Sequence, residues 1–341
     1  MLIRAYLFGY QKFLAIEKKT MVEQKKSDQK DLGNYTHYMY WWMYRRCNFD
    51  CEYCFRRRED SDESTDEFIY KKYSPEHIAQ QFDETGKVWN VFMTGGEPFL
   101  YPGFVKLAKM LTRRHYISLS TNLSTPNLCE FAETIGSGRV LAINASLHIL
   151  EREKMKDGLN GFLRNFHYYL ERGFNIRLTY VAYPPLLGRI KEDIKRIKDN
   201  GIDKISVKVF QGSYQGQKYP REYTEAERTF LRELGLSKNE EAILDRRISF
   251  LGRKCQAGCN VFSMDIYGNV TRCSTLKDKY GNLFDGTFVP GELSLRCTAR
   301  RCACTYQGIK FASAEPFAVP SGIVAKPVRF FTDVCNWIGS L

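Results

Sequence analysis

The segment Cys47-Asn48-Phe49-Asp50-Cys51-Glu52-Tyr53-Cys54 constrains this chain more than any other. Three thiols fall within eight residues, at spacing C-x3-C-x2-C. A loop this short can wrap its sulfurs around one face of a metal centre. No fourth Cys lies close by, so one coordination position stays open. On an iron–sulfur cluster, an iron without a protein thiolate is a place for a ligand to bind. The competing reading is a structural zinc site. Such sites usually show paired C-x2-C knuckles and close with four ligands, so the loop by itself favours a cluster.

The other cysteines agree. Eleven Cys in 341 residues is far below the density of a disulfide-stapled secreted scaffold. They are also clustered, with three at 47–54 and six at 255–304, while Cys129 and Cys335 stand alone. Clustered thiols in a chain with no secretory signal indicate metal ligation in a reducing compartment, and the expected location is cytoplasmic. The apolar stretches before residue 17 are interrupted by Arg4, Gln11 and Lys12 and are too short to span a bilayer. The formal charge of +12 suits anionic partners, or simply Lys and Arg on solvated helix faces. No basic-aromatic RNA motif occurs, so nucleic acid is not an expected partner.

Residues 1–34 form a polar, Lys-rich extension. A βα alternation begins at Tyr35. Strands are predicted over 35–44, 88–93, 116–120, 140–145, 176–181 and 204–210. Between them run helical stripes such as Leu159, Phe162, Phe166 and Leu170, and Leu187, Ile190, Ile194 and Ile197. Ser74-Pro75 and the Thr224/Glu227 capping box mark helix starts. Such alternation gives a parallel sheet with right-handed crossovers. Six units are too few for a closed eight-fold barrel, so the expected architecture is a partial (β/α)6 TIM-like barrel over 35–236. Ligands bind beyond the C-terminal strand ends of such sheets. The Cys loop, Gly95-Gly96-Glu97-Pro98, Ser120-Thr121-Asn122, Ser146-Leu147-His148 and Tyr183-Pro184 all fall there.

With these residues placed, the chain resembles the radical S-adenosylmethionine (radical SAM) superfamily. The resemblance rests on the C-x3-C-x-aromatic-C loop after strand 1, with Tyr53 as the aromatic, and on Gly95-Gly96-Glu97-Pro98 after strand 2. It covers roughly Tyr35 to Leu234. It implies a [4Fe–4S] cluster on Cys47, Cys51 and Cys54, with S-adenosylmethionine on the open iron and a low-potential electron donor such as flavodoxin or ferredoxin. The same resemblance implies cofactor contacts from Tyr53 near the adenine, from Gly95, Gly96, Glu97 and Pro98, from Ser120, Thr121 and Asn122, and from Ser146. The Gly95-Gly96 backbone can approach the methionine amino group closely, because no Cβ intrudes. Glu97 has a second possible role, bracing the loop. His148, Cys129 and Arg56–Arg58 have ordinary structural readings, as a locally bonded imidazole, a core thiol and a solvated loop.

After Leu236 the alternation stops, and a small Cys-rich β-hairpin domain is expected over 237–310, followed by a tail over 311–341. The layout C-x12-G-x4-C, from Cys255 through Gly268 to Cys273, resembles the SPASM/twitch extensions of radical SAM enzymes. It implies one auxiliary [4Fe–4S] cluster on Cys255, Cys273, Cys297 and Cys302, with Cys304 competing for the last place and Cys259 a weaker candidate. The C-x2-C-x5-C-x3-C run of a full SPASM domain is missing, and a zinc ribbon is the alternative. By analogy, the reaction expected is oxidative modification of a peptide or protein. The alternatives are dehydrogenation or epimerisation of a carbohydrate-like small molecule and, from another class, a non-catalytic iron–sulfur or zinc-binding protein.

Overall fold

A computed structural model of the chain describes residues 35–54, 69–246 and 250–299. The expectations for the N-terminal extension, Arg56–Arg58, Cys302, Cys304, Cys335 and the tail lie outside the described residues. Within them, six parallel strands follow one another in space as in sequence. They are β1 (His37–Tyr44), β2 (Trp89–Gly95), β3 (Tyr116–Thr121), β4 (Val140–Ser146), β5 (Ile176–Ala182) and β6 (Ile205–Val209). The strands alternate. Ile143, Ala145, Leu178 and Tyr180 are buried under helices, while Asn144, Ser146, Arg177 and Thr179 on the other face are half-buried in the barrel interior. That period of two separates the packing face from the ligand face.

The crossover helices are α1 (Pro75–Glu84), α2 (Phe104–Leu111), α3 (Leu128–Thr134), a short α4 (Ile149–Glu153), α5 (Gly158–Glu171) and α6 (Ile190–Asp199). The Ser74 hydroxyl caps α1 by accepting the His77 N–H at 3.2 Å, and Ile78, Ala79 and Phe82 bury its inner face. After β6 a small hairpin, β7 (Gly212–Tyr214) with β8 (Gln217–Tyr219), precedes α7 (Glu225–Glu233). The predicted Thr224/Glu227 capping box starts α7. The β7–β8 hairpin, the short α4 and one further helix were not predicted. Helix α8 (Lys238–Leu244) buries Glu240, whose carboxylate accepts the Val209 N–H at 2.8 Å and so serves the edge strand β6.

The C-terminal strands are β9 (Lys254–Cys255), β10 (Val261–Met264), β11 (Asn269–Thr271), β12 (Lys279–Asn282) and β13 (Leu295–Arg296). Three of these five join the barrel sheet, and the other two, β9 and β13, pair with each other. β10 pairs in parallel with β1, Tyr38 opposite Val261 through Trp41 opposite Met264, and β11 and β12 extend the sheet antiparallel. The result is one nine-stranded sheet that continues across residue 236. Trp41, Trp89, Phe262 and Phe284 pack at this junction. No helix among the described residues is long and apolar enough to cross a membrane.

Candidate active site

The Cys loop leaves β1 and lies across the C-terminal ends of β3, β4 and β5. The Asn48 amide donates to Ser124 Oγ at 2.7 Å, the Asp50 N–H to Glu151 at 3.3 Å, and the Tyr183 hydroxyl to Glu52 at 3.2 Å. Cys51 is buried, while Cys47 and Cys54 are half-buried, and all three are free thiols. Burial first, then Glu151 and the other two thiols, pushes the Cys51 thiol up to about 12. The Cys47 sulfur accepts the Phe49 N–H at 3.4 Å and the Asn122 side-chain amide at 3.8 Å. Such bonds stabilise the thiolate over the thiol.

The glycine pair has a structural reason inside the chain itself. The Gly96 N–H donates to the Tyr44 carbonyl at 2.7 Å, and the Glu97 N–H to the Arg46 carbonyl at 2.8 Å. A Cβ on Gly96 would overlap the carbonyl oxygens of Arg45 and Arg46, and one on Gly95 would overlap that of Tyr44. Gly95 also sits at φ +142, where a side chain is strained. The missing Cβ atoms therefore let the turn fasten the segment that delivers Cys47.

Glu97 and Arg152 brace the loop from below. Glu97 is 1% exposed. Its carboxylate accepts the Thr121 hydroxyl at 2.6 Å, the Asn122 N–H at 2.7 Å and the Phe99 N–H at 3.2 Å. Pro98 opens the buried turn that supplies Phe99. Arg152 is 2% exposed, donates to the carbonyls of Asn122 and Leu147, and lies over the rings of Phe49 and Phe162. The Glu97 carboxyl thus holds the N–H of Asn122 and the Arg152 guanidinium holds its C=O. Burial pushes Glu97 up to about 7 against the pull of its donors and of Arg152. Burial likewise lowers Arg152 to about 10, while Glu97 and Cys51 draw it back. Between these charges, the Asn122 side chain is free to reach Cys47 and, at 2.9 Å, Asn48.

The Tyr53 hydroxyl shares a 2.9 Å hydrogen bond with His148 Nδ1, and its ring packs on His148 and Tyr183. Burial, with a smaller contribution from Arg152, lowers His148 to about 4, so this imidazole is neutral at pH 7. Ser120 and Ser146 are half-buried on the interior face of the sheet. The structure therefore gathers Cys47, Cys51, Cys54, Tyr53, Gly95, Gly96, Glu97, Pro98, Thr121 and Asn122 into one bonded unit. Ser120 and Ser146 stand beside it. The contributions of Arg152, Glu151, Asn48 and Ser124 were not anticipated from sequence.

The model for the Radical SAM superfamily matches residues 43–199. Over those residues the chain is similar to the radical SAM superfamily. Among curated proteins it is 27% identical over 169 residues to the probable GTP 3′,8-cyclase of Metallosphaera sedula, covering 47% of this chain and 51% of that protein. The chain thus spans about half the length of this relative. Among solved structures it resembles Streptococcus suis SuiB bound to S-adenosylmethionine, with TM-score 0.51 and 17% identity over 74% of this chain and 64% of that one. It also resembles native anSMEcpe with bound AdoMet, with TM-score 0.51 and 17% identity over 74% and 80%. At these identities the likeness is one of fold.

The radical SAM chemistry is that of an enzyme with a [4Fe–4S] cluster and S-adenosylmethionine. The donor set on the loop fits that group, with three free thiols on one short segment and no competing disulfide. Among the described residues no three Cys, His, Asp or Glu side chains already converge as a metal site.

A second set of thiols lies beside the sheet extension. Cys255, on β9, is close enough to Cys273 and Cys297 for their charges to act on it. Burial is the largest cause of its raised pKa. The β9–β13 pairing sets Cys255 opposite Leu295, two residues before Cys297. Arg272 is buried and donates to the carbonyls of Ala257 at 3.1 Å and Arg296 at 2.9 Å, tying both sides of the site together. The Cys259 thiol instead bonds to Asn260 at 2.9 Å.

Proposed function

We propose that this chain cleaves S-adenosylmethionine reductively at a cluster held by Cys47, Cys51 and Cys54 and oxidatively modifies a peptide or protein. The observation that carries the reading is the Glu97–Asn122–Cys47 chain of hydrogen bonds, which ties the thiol loop to the strand ends. When bound there, cluster and cofactor together supply a 5′-deoxyadenosyl radical able to take hydrogen from an unactivated carbon. The chain's own part is positional. Gly95 and Gly96 set the loop entry, and Glu97 and Arg152 fix Asn122. Tyr53 with His148 and Tyr183 presents an aromatic wall suited to a planar base. Ser120 and Ser146 offer hydroxyls to the ribose or carboxylate. Buried apolar packing around the loop keeps water from the reacting atoms.

Cys255, Cys273 and Cys297, with a fourth ligand from Cys302 or Cys304, would hold one auxiliary cluster. It would accept the electron that a substrate gives up in a net two-electron oxidation. The closeness of Cys255 to both Cys273 and Cys297 and the separate bonding of Cys259 support this ligand set over one that includes Cys259. Oxidation or epimerisation of a small molecule is the second reading, and the likeness to a probable GTP 3′,8-cyclase favours it. The test is anaerobic reconstitution, with iron per chain and 5′-deoxyadenosine measured under a strong reductant. Full cluster loading without deoxyadenosine would overturn the enzyme reading. Adding the macromolecular fraction or the small-molecule ultrafiltrate of a cell extract separates the two substrate classes, since only the fraction holding substrate should stimulate turnover.

A further inference from the structure

The interior of the barrel carries two cations on neighbouring strands, and they differ in their partners. Lys208, on β6, faces Glu240 at 3.1 Å. Arg177, on β5, meets no carboxylate among the described residues. Its Nε donates to Asn144 Oδ1 at 2.7 Å, and neither Nη has a protein acceptor among the described residues. Burial lowers Arg177 to about 10, with no neighbouring charge to oppose it. A largely desolvated guanidinium is unfavourable unless an anion pairs with it.

Strand register places this group. Ser120 on β3 lies opposite Asn144 on β4, and Asn144 opposite Arg177 on β5. All three are half-buried on the interior face, and Thr179 follows Arg177 on the same face. Asn144 fixes one edge of the guanidinium and leaves the two Nη groups as a planar fork. That fork matches the paired oxygens of a carboxylate or phosphate. Position decides which molecule can bring them. Asn144 stands two residues before Ser146, the last residue of β4, which is roughly 7 Å along the strand at about 3.3 Å per residue. A cofactor seated on the loop and touching Ser120 on β3 is still two strands away from Arg177 on β5, which leaves the fork to a second molecule.

We propose that Arg177, positioned by Asn144, is the binding group for an oxyanion of the substrate, carboxylate or phosphate, inside the barrel. This rests on the reading of the barrel as a radical SAM active site. It selects substrates with an anionic group set back from the carbon that loses hydrogen. An acidic side chain or chain terminus of a peptide meets that requirement, and so does a phosphorylated small molecule.

The test uses the full chain, reconstituted anaerobically, and titrates it by calorimetry with succinate, inorganic phosphate and neutral succinamide, with and without saturating S-adenosylmethionine. Saturable binding of succinate or phosphate, but not succinamide, is expected. Arg177→Gln should weaken that binding by about thirty-fold or more, as for the loss of one member of a desolvated charge pair. Arg177→Lys should restore part of it. Affinity for S-adenosylmethionine and substrate-free deoxyadenosine formation should stay unchanged in both variants. The proposal fails if the wild type binds neither oxyanion, or if Arg177→Gln binds them equally well. It also fails if Arg177→Gln loses S-adenosylmethionine affinity instead, because Arg177 would then read the cofactor's carboxylate. Thermal midpoints of both variants matching the wild type exclude misfolding as the cause of lost binding. Absence of S-adenosylmethionine binding by the wild type would overturn the wider reading and leaves the oxyanion titration interpretable by itself.

Discussion

The thiols of residues 47–54 come from one unbroken loop, whereas Cys255, Cys273 and Cys297 arrive from the ends of three different strands. The first set depends on bracing from outside: Gly95 and Gly96 at its entry, and Glu97 and Arg152 acting through Asn122. The second depends on strand pairing itself, with β9 on β13 and the β10–β11 hairpin between, tied by Arg272. A loop site can thus lose its function while the sheet stands. A site made of strand ends should lose its metal and its local fold together.

The largest test of that contrast removes the loop thiols. Changing Cys47, Cys51 and Cys54 together to Ala should reduce 5′-deoxyadenosine to background and leave iron at the second site, read by iron analysis and absorbance. Iron falling to zero would mean that the second site holds none. Next in size is the buried charge couple. Removing one partner of such a pair costs about 3–5 kcal/mol. Glu97→Gln or Arg152→Met should approach the lower figure in denaturant unfolding, because a peptide unit bridges the two charges. The double variant should recover part of the loss. If Glu97→Gln left both stability and cofactor cleavage intact, the bracing role would be wrong.

Arg272→Met probes the other side. It strands two carbonyls that Arg272 now serves, at about 1–3 kcal/mol for each group left unsatisfied in a buried setting. It should lower iron at the second site while deoxyadenosine formation without substrate persists. Parallel loss at both sites would erase the distinction between them. Gly96→Ala should cost about 1–3 kcal/mol through overpacking against Arg45 and Arg46, and the displaced loop should lower cofactor cleavage. The smallest effect is expected from Tyr53→Phe. It deletes one hydrogen bond to His148, worth about 1 kcal/mol, and keeps the aromatic wall, so cleavage should change little.

The same contrast explains what could be read in the sequence. The Cys loop and the Gly-Gly-Glu-Pro turn are contiguous, and period-two and helical stripes place the six strands and most helices. Arg152 gave no such signal. It stands in Glu151-Arg152-Glu153-Lys154, which reads as a solvated face, and only the packing of Phe49 and Phe162 around it shows that it is buried. Arg177 is hidden for a related reason, since one basic residue in a strand is uninformative until register sets Asn144 beside it. The partnership of Cys255 with Cys297 hangs on a two-residue strand pair, too short to leave a pattern. Helix α8 escaped because its main duty is one carboxylate at the edge of β6, not an apolar stripe.

The parallel pairing of β10 with β1 has a further consequence. β1 runs into the first thiol set, and β10 begins the hairpin that carries part of the second. Backbone hydrogen bonds, not a linker, therefore set the separation between the two sets. An electron passing between centres held there would cross a gap of constant width, and its rate would follow the driving force and the intervening medium instead of a hinge.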